Sequence, residues 1–359
     1  MKLRHNGWIN SPFSTKTRAY LRFKGIDFEE TDPSFLALGG RIRRSVGRMI
    51  VPTVEMPDGT WLQDTSDIID SLEVRYPEPS VVPLGPTQRL ASALLEVFGD
   101  EWLPMASLHY RWNLPQNSAF SLGEFARIGL PWLPLAIGRR LIAPAADKMK
   151  GYRSVLGILP QTISGIEETT NRVIYALNEH LSEQPYLLGS RPCIGDFSLL
   201  GPLWAHLYRD PGSTYLFEDA PRVVDWMERL LSTSQEPGTF LDGDAVPTSL
   251  DPIFELVFQD QWPWIKTLVA AIDEYCDQNP TAHRVPRALG SAPFQICGTT
   301  GDRKLVTFVQ WKAQRARRAF EEAGGNADGW LERVGGTDQI IPIRNPFKRV
   351  EFKAVLDRG

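Results

Sequence analysis

The residues of this chain that are best placed for chemistry are a serine and the proline that directly follows it. Ser11 and Pro12 open a segment with helical spacing of apolar residues, and a serine oxygen there can accept a hydrogen bond from a free N–H of the first turn. Proline suits the next position because it has no N–H to lose and its φ is already helical. A helix start stabilises an anion such as a thiolate, and Ser14 is a second hydroxyl in the same turn. Taken alone, the pattern is also typical of an ordinary capped helix.

Two further places follow the first helix. Val51 and Pro52 open a β-rich run, where a proline indicates either an edge strand or a special, possibly cis, bond. Asp64 and Thr65 stand before a stretch with helical spacing, so either residue can cap that helix. Each feature alone favours a structural role, as a turn device or as a cap.

The elements that must position these residues are readable over the first 80 residues. We predict a strand at residues 2–5, a helix from Pro12 to Lys24, a strand at residues 26–29, a hairpin from Val51 to Gln63 and then a helix. A proline-rich linker follows, and the pattern then becomes helical. We expect residues 113–160 to be irregular, because they are rich in proline and glycine. From about residue 246 we predict an amphipathic helix, a small hairpin or a helix near residues 294–320, and a β-like tail at residues 340–356.

Composition disfavours several classes of function. The 359 residues carry 39 basic and 43 acidic side chains, a net charge of −4, so no strongly basic face for nucleic acid is indicated. Three scattered cysteines and five histidines argue against a disulfide framework and against a zinc site, and they suit a reducing compartment. We expect no signal peptide and no transmembrane segment. The basic run of residues 41–44, with Arg48, is either a solvated helix face or a seat for a ligand carboxylate.

Order and spacing of these pieces resemble the cytosolic glutathione S-transferase family. The N-terminal match comprises the strand, Ser11-Pro12-Phe13-Ser14, the segment from Lys24 to Glu29, the run from Val51 to Val54, and the run from Gln63 to Ile68. Further on, residues 186–189 and 193–197 are similar to the buried helix-capping segment of the family's second domain. The resemblance covers roughly residues 1–235, and the last 115 or so exceed the usual family length.

The resemblance implies a fold and a division of the chain. It implies a thioredoxin-like α/β N-terminal domain at residues 1–80, followed by an all-helical glutathione S-transferase-type domain at residues 87–245. We expect residues 246–359 to form an extension packed on the helical domain. Homodimer formation, a cytoplasmic location and a role in detoxification are also what the resemblance implies.

By position, the resemblance implies a glutathione site with glutathione as co-substrate. Ser11 takes the place that activates the thiol, with Ser14 as the alternative, and the expected glutathione-binding residues are Phe13, Arg48, Val51, Pro52, Asp64 and Thr65. Val51 would pair its backbone with the cysteinyl part of glutathione. Asp64 and Thr65 would hold the γ-glutamyl end, where the acid can meet an ammonium. The expected acceptor pocket for an apolar electrophile is lined by Trp102, His109, Tyr110 and Trp112, unless these aromatic residues belong to the core.

Two functions from different classes therefore compete. The first is an enzyme that directs the glutathione thiolate at an apolar electrophile, giving conjugation, isomerisation, or cleavage of an ether or halide bond. The second is a non-catalytic binding or assembly module of the same fold, possibly membrane-associated. A thioredoxin-like oxidoreductase is disfavoured because the chain has no Cys-x-x-Cys pair.

Overall fold

The computed structural model describes residues 2–233 and 237–358. Its first unit is a four-stranded mixed sheet with strand order β2-β1-β3-β4, in which β1 runs parallel to β2 and antiparallel to β3. This is the predicted thioredoxin-like α/β arrangement. Its elements are β1 (Leu3–Asn6), α1 (Pro12–Phe23), β2 (Phe28–Thr31), α2 (Phe35–Ala37), α3 (Arg43–Val46), β3 (Thr53–Glu55), β4 (Trp61–Gln63) and α4 (Thr65–Arg75).

The second unit is helical, as predicted. Its elements are α5 (Pro86–Val97), α6 (Pro104–Asn113), α7 (Pro115–Gly129), α8 (Leu135–Val155), α9 (Ile163–His180), α10 (Ile194–Pro202) and α11 (Pro221–Leu231). The expectation that residues 113–160 are irregular is wrong, because most of them form α7 and α8. Pro115 occupies the first turn of α7, where proline is tolerated, whereas Pro144 lies inside the 21-residue α8.

A buried acid organises the centre of this helical unit. The side chain of Asp196, in the first turn of α10, accepts from the backbone N–H groups of Cys193 and Leu187 at 2.9 and 3.1 Å. It also accepts from the indole N–H of Trp226 at 3.0 Å. The carboxyl is fully buried, and burial raises its pKa to about 6. This is the helix-capping role that the sequence around residues 193–197 predicts.

The remaining residues form an extension with both helices and hairpins. Its elements are α12 (Asp251–Leu256), α13 (Trp262–Gln278), β5 (Ala288–Ile296), β6 (Thr299–Val306), α14 (Phe308–Ala323), α15 (Asp328–Arg333), β7 (Phe347–Val350) and β8 (Lys353–Leu356). The sequence left open whether a hairpin or a helix follows residue 294, and both are present. Strands β5 and β6 pair antiparallel, α14 follows them, and the β-like tail becomes the β7–β8 hairpin.

The extension packs against α5 of the helical unit through α14 and joins the main hydrophobic core. It also reaches the first unit, because the backbone turn of the β7–β8 hairpin brings Phe352 against a separate apolar cluster that includes Trp8 and Val51. No helix among the described residues is long and apolar enough to cross a membrane.

Candidate active site

The first turn of α1 has the geometry that its sequence predicts. Ser11 is the N-cap residue, with extended backbone angles, and its oxygen accepts from the Ser14 N–H at 3.2 Å. Ser11 is half-buried and, among the described residues, its O–H donates to no other group. Phe13 lies beside it with 39 % of its surface exposed. The Ser11 hydroxyl thus keeps a free proton at the positive end of a helix, as needed to hold an anion.

Ser14 has a different role from Ser11. Its side chain is fully buried, and its oxygen accepts from the backbone N–H of Trp8 at 3.2 Å. The bond ties the loop after β1 to the first turn of α1. Of the two hydroxyls that the sequence left open, Ser11 is the one with access to a ligand.

A buried arginine fixes the residue before Ser11. Arg111, from α6, donates to the carbonyl of Asn10 at 2.9 Å and to both carboxylate oxygens of Asp210 at 2.7 Å. A fourth bond runs to the carbonyl of Ala205 at 2.8 Å. Arg111 and Asp210 are 2 % and 0 % exposed, so this pair is an interior anchor for the start of α1. The sequence analysis did not single out either residue.

Gly201 gives α10 its close approach to the same turn. A Cβ atom added there would lie 2.7 Å from the carbonyl oxygen of Pro12. We expect Gly201→Ala to destabilise the protein by about 1–2 kcal/mol, because overpacking outweighs the gain in helix propensity. The matched control is Gly151→Ala in α8, where no atom lies within 4 Å of the added carbon; it should stabilise the protein by about 0.5–1 kcal/mol. Urea unfolding of both variants measures the difference, and equal effects would contradict the packing account.

The chain enters the interior strand β3 through a special peptide bond. Val51–Pro52 is cis, one of the two alternatives that the sequence offered. Val51 is half-buried and belongs to the apolar cluster with Trp8, while Pro52 is buried. Arg48 is exposed beside them, and burial together with Arg349 and Arg287 lowers its pKa. A cationic rim therefore borders the site, built partly from the extension.

At the start of α4, Asp64 and Thr65 lie where the sequence predicts, but they already have a partner. Asp64 is the N-cap residue with φ of 79°, and its Oδ1 accepts from the Ser66 N–H at 3.0 Å. The ammonium of Lys312, from α14, lies 3.0 Å from the same Oδ1 and 3.5 Å from the Thr65 hydroxyl. Nothing in the local sequence indicated this contact, because the two partners are 248 residues apart.

Lys312 belongs to a buried ion network that joins the three units. Three cations (Lys16, Lys312 and Arg315) meet three carboxylates (Asp64, Glu96 and Asp100). Burial opposes the charge on Lys312, but Asp64, Asp100 and Glu96 raise its pKa. Burial likewise opposes the charge on Asp64, while Lys312 and Arg349 lower its pKa. The neighbouring opposite charges thus favour the charged forms of both Lys312 and Asp64, and the network contains three basic and three acidic side chains.

The four residues expected to line the acceptor pocket are not gathered at one open surface. Trp102 is 1 % exposed and packs between Phe294 and the Arg303 guanidinium. His109 is bonded to Glu167 and Asn113, and Tyr110 lies in the main core. These three side chains are structural, which is the core alternative that the sequence allowed.

Trp112 is the member of that set nearest to the proposed site. It stacks on Phe125 in the apolar cluster that also contains Trp8, Val51 and Phe352. An apolar surface next to the cis-proline is therefore supplied by α6, α7 and the hairpin tip. Trp132, between α7 and α8, is 52 % exposed.

Comparison with protein families identifies the architecture. The model of the glutathione S-transferase N-terminal domain matches residues 7–80, and the model of the C-terminal domain matches residues 160–229. The two domains occur in the family's order. The chain thus carries both domains of the glutathione S-transferase family. Residues beyond 229 lie outside both matches and include the helix that carries Lys312.

Solved structures that are similar to this chain cover about two thirds of it. The β-etherase LigF from Sphingobium sp. is 20 % identical, with a TM-score of 0.46, over 64 % of this chain and 95 % of that one. A glutathione S-transferase from Methylobacterium radiotolerans in complex with glutathione sulfonate is 18 % identical, with a TM-score of 0.42, over 68 % and 100 %. A tau-class enzyme from mango, Mangifera indica, is 14 % identical, with a TM-score of 0.42, over 70 % and 95 %.

Proposed function

We propose that this protein is a transferase that binds glutathione and directs its thiolate at an apolar electrophile. The observation that carries the proposal is the Ser11 hydroxyl. It accepts from the Ser14 N–H at 3.2 Å and, among the described residues, donates to no other group, so its proton is free at the start of α1. The Ser11 backbone N–H donates to the Trp8 carbonyl at 3.1 Å, and Trp8 shares an apolar cluster with Val51, the residue before the cis bond. A hydroxyl that donates to a thiolate favours the charged form and lowers the pKa of the thiol.

The energy available at this turn is sufficient for that task. Lowering a thiol pKa from about 8.5–9 to about 6.5 requires about 3 kcal/mol. A hydrogen bond to an anion supplies about 1.5–3 kcal/mol, and the helix end adds up to about 1 kcal/mol. The half-buried Val51 and Phe352, which border the apolar cluster that contains Trp112, provide the neighbouring surface for the electrophile. A cytoplasmic location and homodimer formation belong to this proposal through the family resemblance.

Ser11→Ala tests the proposal directly. We expect kcat/KM with glutathione and a generic apolar electrophile to fall about 10- to 150-fold, the equivalent of 1.5–3 kcal/mol. The pKa of the bound thiol, followed by thiolate ultraviolet absorbance, should rise in the same variant. Ser34→Ala is the matched control, because Ser34 caps α2 by the same kind of bond, to the Ala37 N–H at 3.3 Å. Unchanged turnover in Ser11→Ala would defeat the assigned role.

A second candidate function, a non-catalytic module of the same fold, is favoured by one observation. Lys312 already contacts Asp64 Oδ1 and the Thr65 hydroxyl, on the two residues that the resemblance assigns to the γ-glutamyl end. A ligand at 100 times its Kd stabilises a protein by about 2.7 kcal/mol. A thermal shift experiment separates the two candidates. Stabilisation by millimolar glutathione supports the transferase, and no shift favours the non-catalytic module.

A further inference from the structure

The ammonium of Lys312 has no hydrogen left for a ligand. Its three N–H groups are used by Ser66 Oγ at 2.7 Å, Asp64 Oδ1 at 3.0 Å and Asp100 Oδ2 at 3.0 Å. The side chain is 3 % exposed. Lys312 therefore neutralises the acid at the start of α4 and does not itself offer a donor at the site.

Its position is fixed by the helix that carries it. One turn further along α14, Arg315 pairs with Glu96 at 3.1 Å and binds both oxygens of Asp70. Gln314 accepts from the backbone N–H of Phe347 at 2.9 Å, which joins α14 to the β7–β8 hairpin. This contact holds Lys312 in the cradle, the site formed by Asp64, Thr65 and Lys312.

The hairpin adds a second cation at the same edge. Arg349 pairs with Asp67 at 2.9 Å and donates to the side-chain oxygen of Gln63 at 2.8 Å. Its charge acts, together with that of Arg287, on the exposed Arg48. Asp64 therefore already has a cation on its Oδ1, and the charges of Arg349 and Arg48 act at the same place, which disfavours a second ammonium there.

We propose that Lys312 stands in for the ammonium of a γ-glutamyl group, so that the preferred ligand is a peptide thiol with a carboxylate but no ammonium at that end. This inference rests on the proposed function, since it keeps thiol activation at Ser11 and names the class of thiol. A ligand ammonium at Asp64 would meet the Lys312 charge at close range. A carboxyacyl end without an ammonium avoids that repulsion and retains attraction to the arginine rim.

Two ligands that differ in one group test the proposal on the unaltered full-length chain. The first is glutathione, and the second is glutaryl-cysteinylglycine, in which hydrogen replaces the α-amino group. Isothermal titration at the same pH and salt should show the deamino peptide binding at least tenfold more tightly. Equal affinities, or tighter binding of glutathione, would overturn the inference and leave the proposed function standing. Absence of binding by both peptides would overturn the two together.

A variant then assigns the preference to Lys312. Lys312→Gln should shift the ratio of the two affinities at least tenfold toward glutathione, because Asp64 becomes free to meet the ligand ammonium. Lys266→Gln is the matched control, since Lys266 lies in the same extension and, within the part of the chain that the structure describes, bonds only to Gln339, at 2.7 Å; it should leave the ratio unchanged. A ratio that does not move in folded Lys312→Gln contradicts the assignment. If that variant does not fold, the ratio in the unaltered protein still decides.

Discussion

Lys312→Met should destabilise the protein by about 3–5 kcal/mol, since removal of one partner of a buried ion pair leaves its charges uncompensated. Asp64 and Asp100 would lose their shared cation, and the hydroxyl of Ser66 would lose a donor. Lysine is the partner of several groups here, so the cost should lie well above that of a single exposed pair. Urea unfolding followed by circular dichroism measures the change in free energy.

Two comparisons make this prediction specific to the ion network. Lys2→Met removes an exposed pair with Asp27, whose side chains are 64 % and 70 % exposed, and should cost less than about 1 kcal/mol. Adding Asp64→Asn and Asp100→Asn to Lys312→Met should recover part of the loss, because the uncompensated charges disappear. A loss below 1 kcal/mol in Lys312→Met alone would show that the network does not hold the extension in place.

The network also fixes how stability changes with acid. Burial opposes ionisation of Asp64 and Glu96, but the neighbouring cations lower the pKa of both carboxyls in the folded protein. The unfolded state therefore takes up protons first, so their stabilisation is complete above the ordinary carboxyl pKa of about 4 and is lost as the pH falls below it. The acid-side slope should be shallower in Lys312→Met, since its carboxyls are no longer held ionised by that ammonium.

Arg111→Met is the second change with a large expected effect, also about 3–5 kcal/mol. It leaves Asp210 as a fully buried charge without its bidentate partner, and it removes the donor to the Asn10 carbonyl. Because Asn10 precedes Ser11, we also expect the remaining folded protein to lose turnover. A displacement of about 1 Å in a catalytic group can cost about 100-fold.

The two consequences of Arg111→Met can be measured separately. Arg111→Met with Asp210→Leu should recover much of the stability, because an apolar pair can replace a buried ion pair at little cost. It should not recover turnover, since the Asn10 carbonyl still lacks its donor. Recovery of both properties would mean that Arg111 acts on stability alone and does not position Ser11.

How much of this arrangement is predictable depends on the distance along the chain over which each interaction acts. Ser11, Pro52 and Asp64 were found because caps and turns depend on neighbouring residues. The helices at residues 115–155 are hidden by the high proline and glycine content of this stretch, although a first-turn proline such as Pro115 is compatible with a helix.

The partners that complete the site could not be predicted in the same way. Lys312 meets Asp64 across 248 residues, and Arg111 meets Asp210 across 99. Neither pair is marked by a periodic sequence pattern. A charged residue on a helix is ordinarily solvent-exposed, so its type gives no sign that it is buried against a distant partner. A weak signal was present in α14, where Lys312 and Arg315 stand beside the small residues Ala313 and Ala316. Small side chains at helical spacing permit close packing and so can bring adjacent charges inside.

The contact between Asp64 and Lys312 has a consequence for synthesis. A ribosome releases Asp64 early and Lys312 almost 250 residues later, so in a nascent chain Asp64 lacks this ammonium partner for most of the elongation. The strands of the first unit are all synthesised in that interval. The charge on Asp64 is balanced by Lys312 only after α14 has been synthesised and has packed against the start of α4. Maturation of the cradle is therefore a late, whole-chain event.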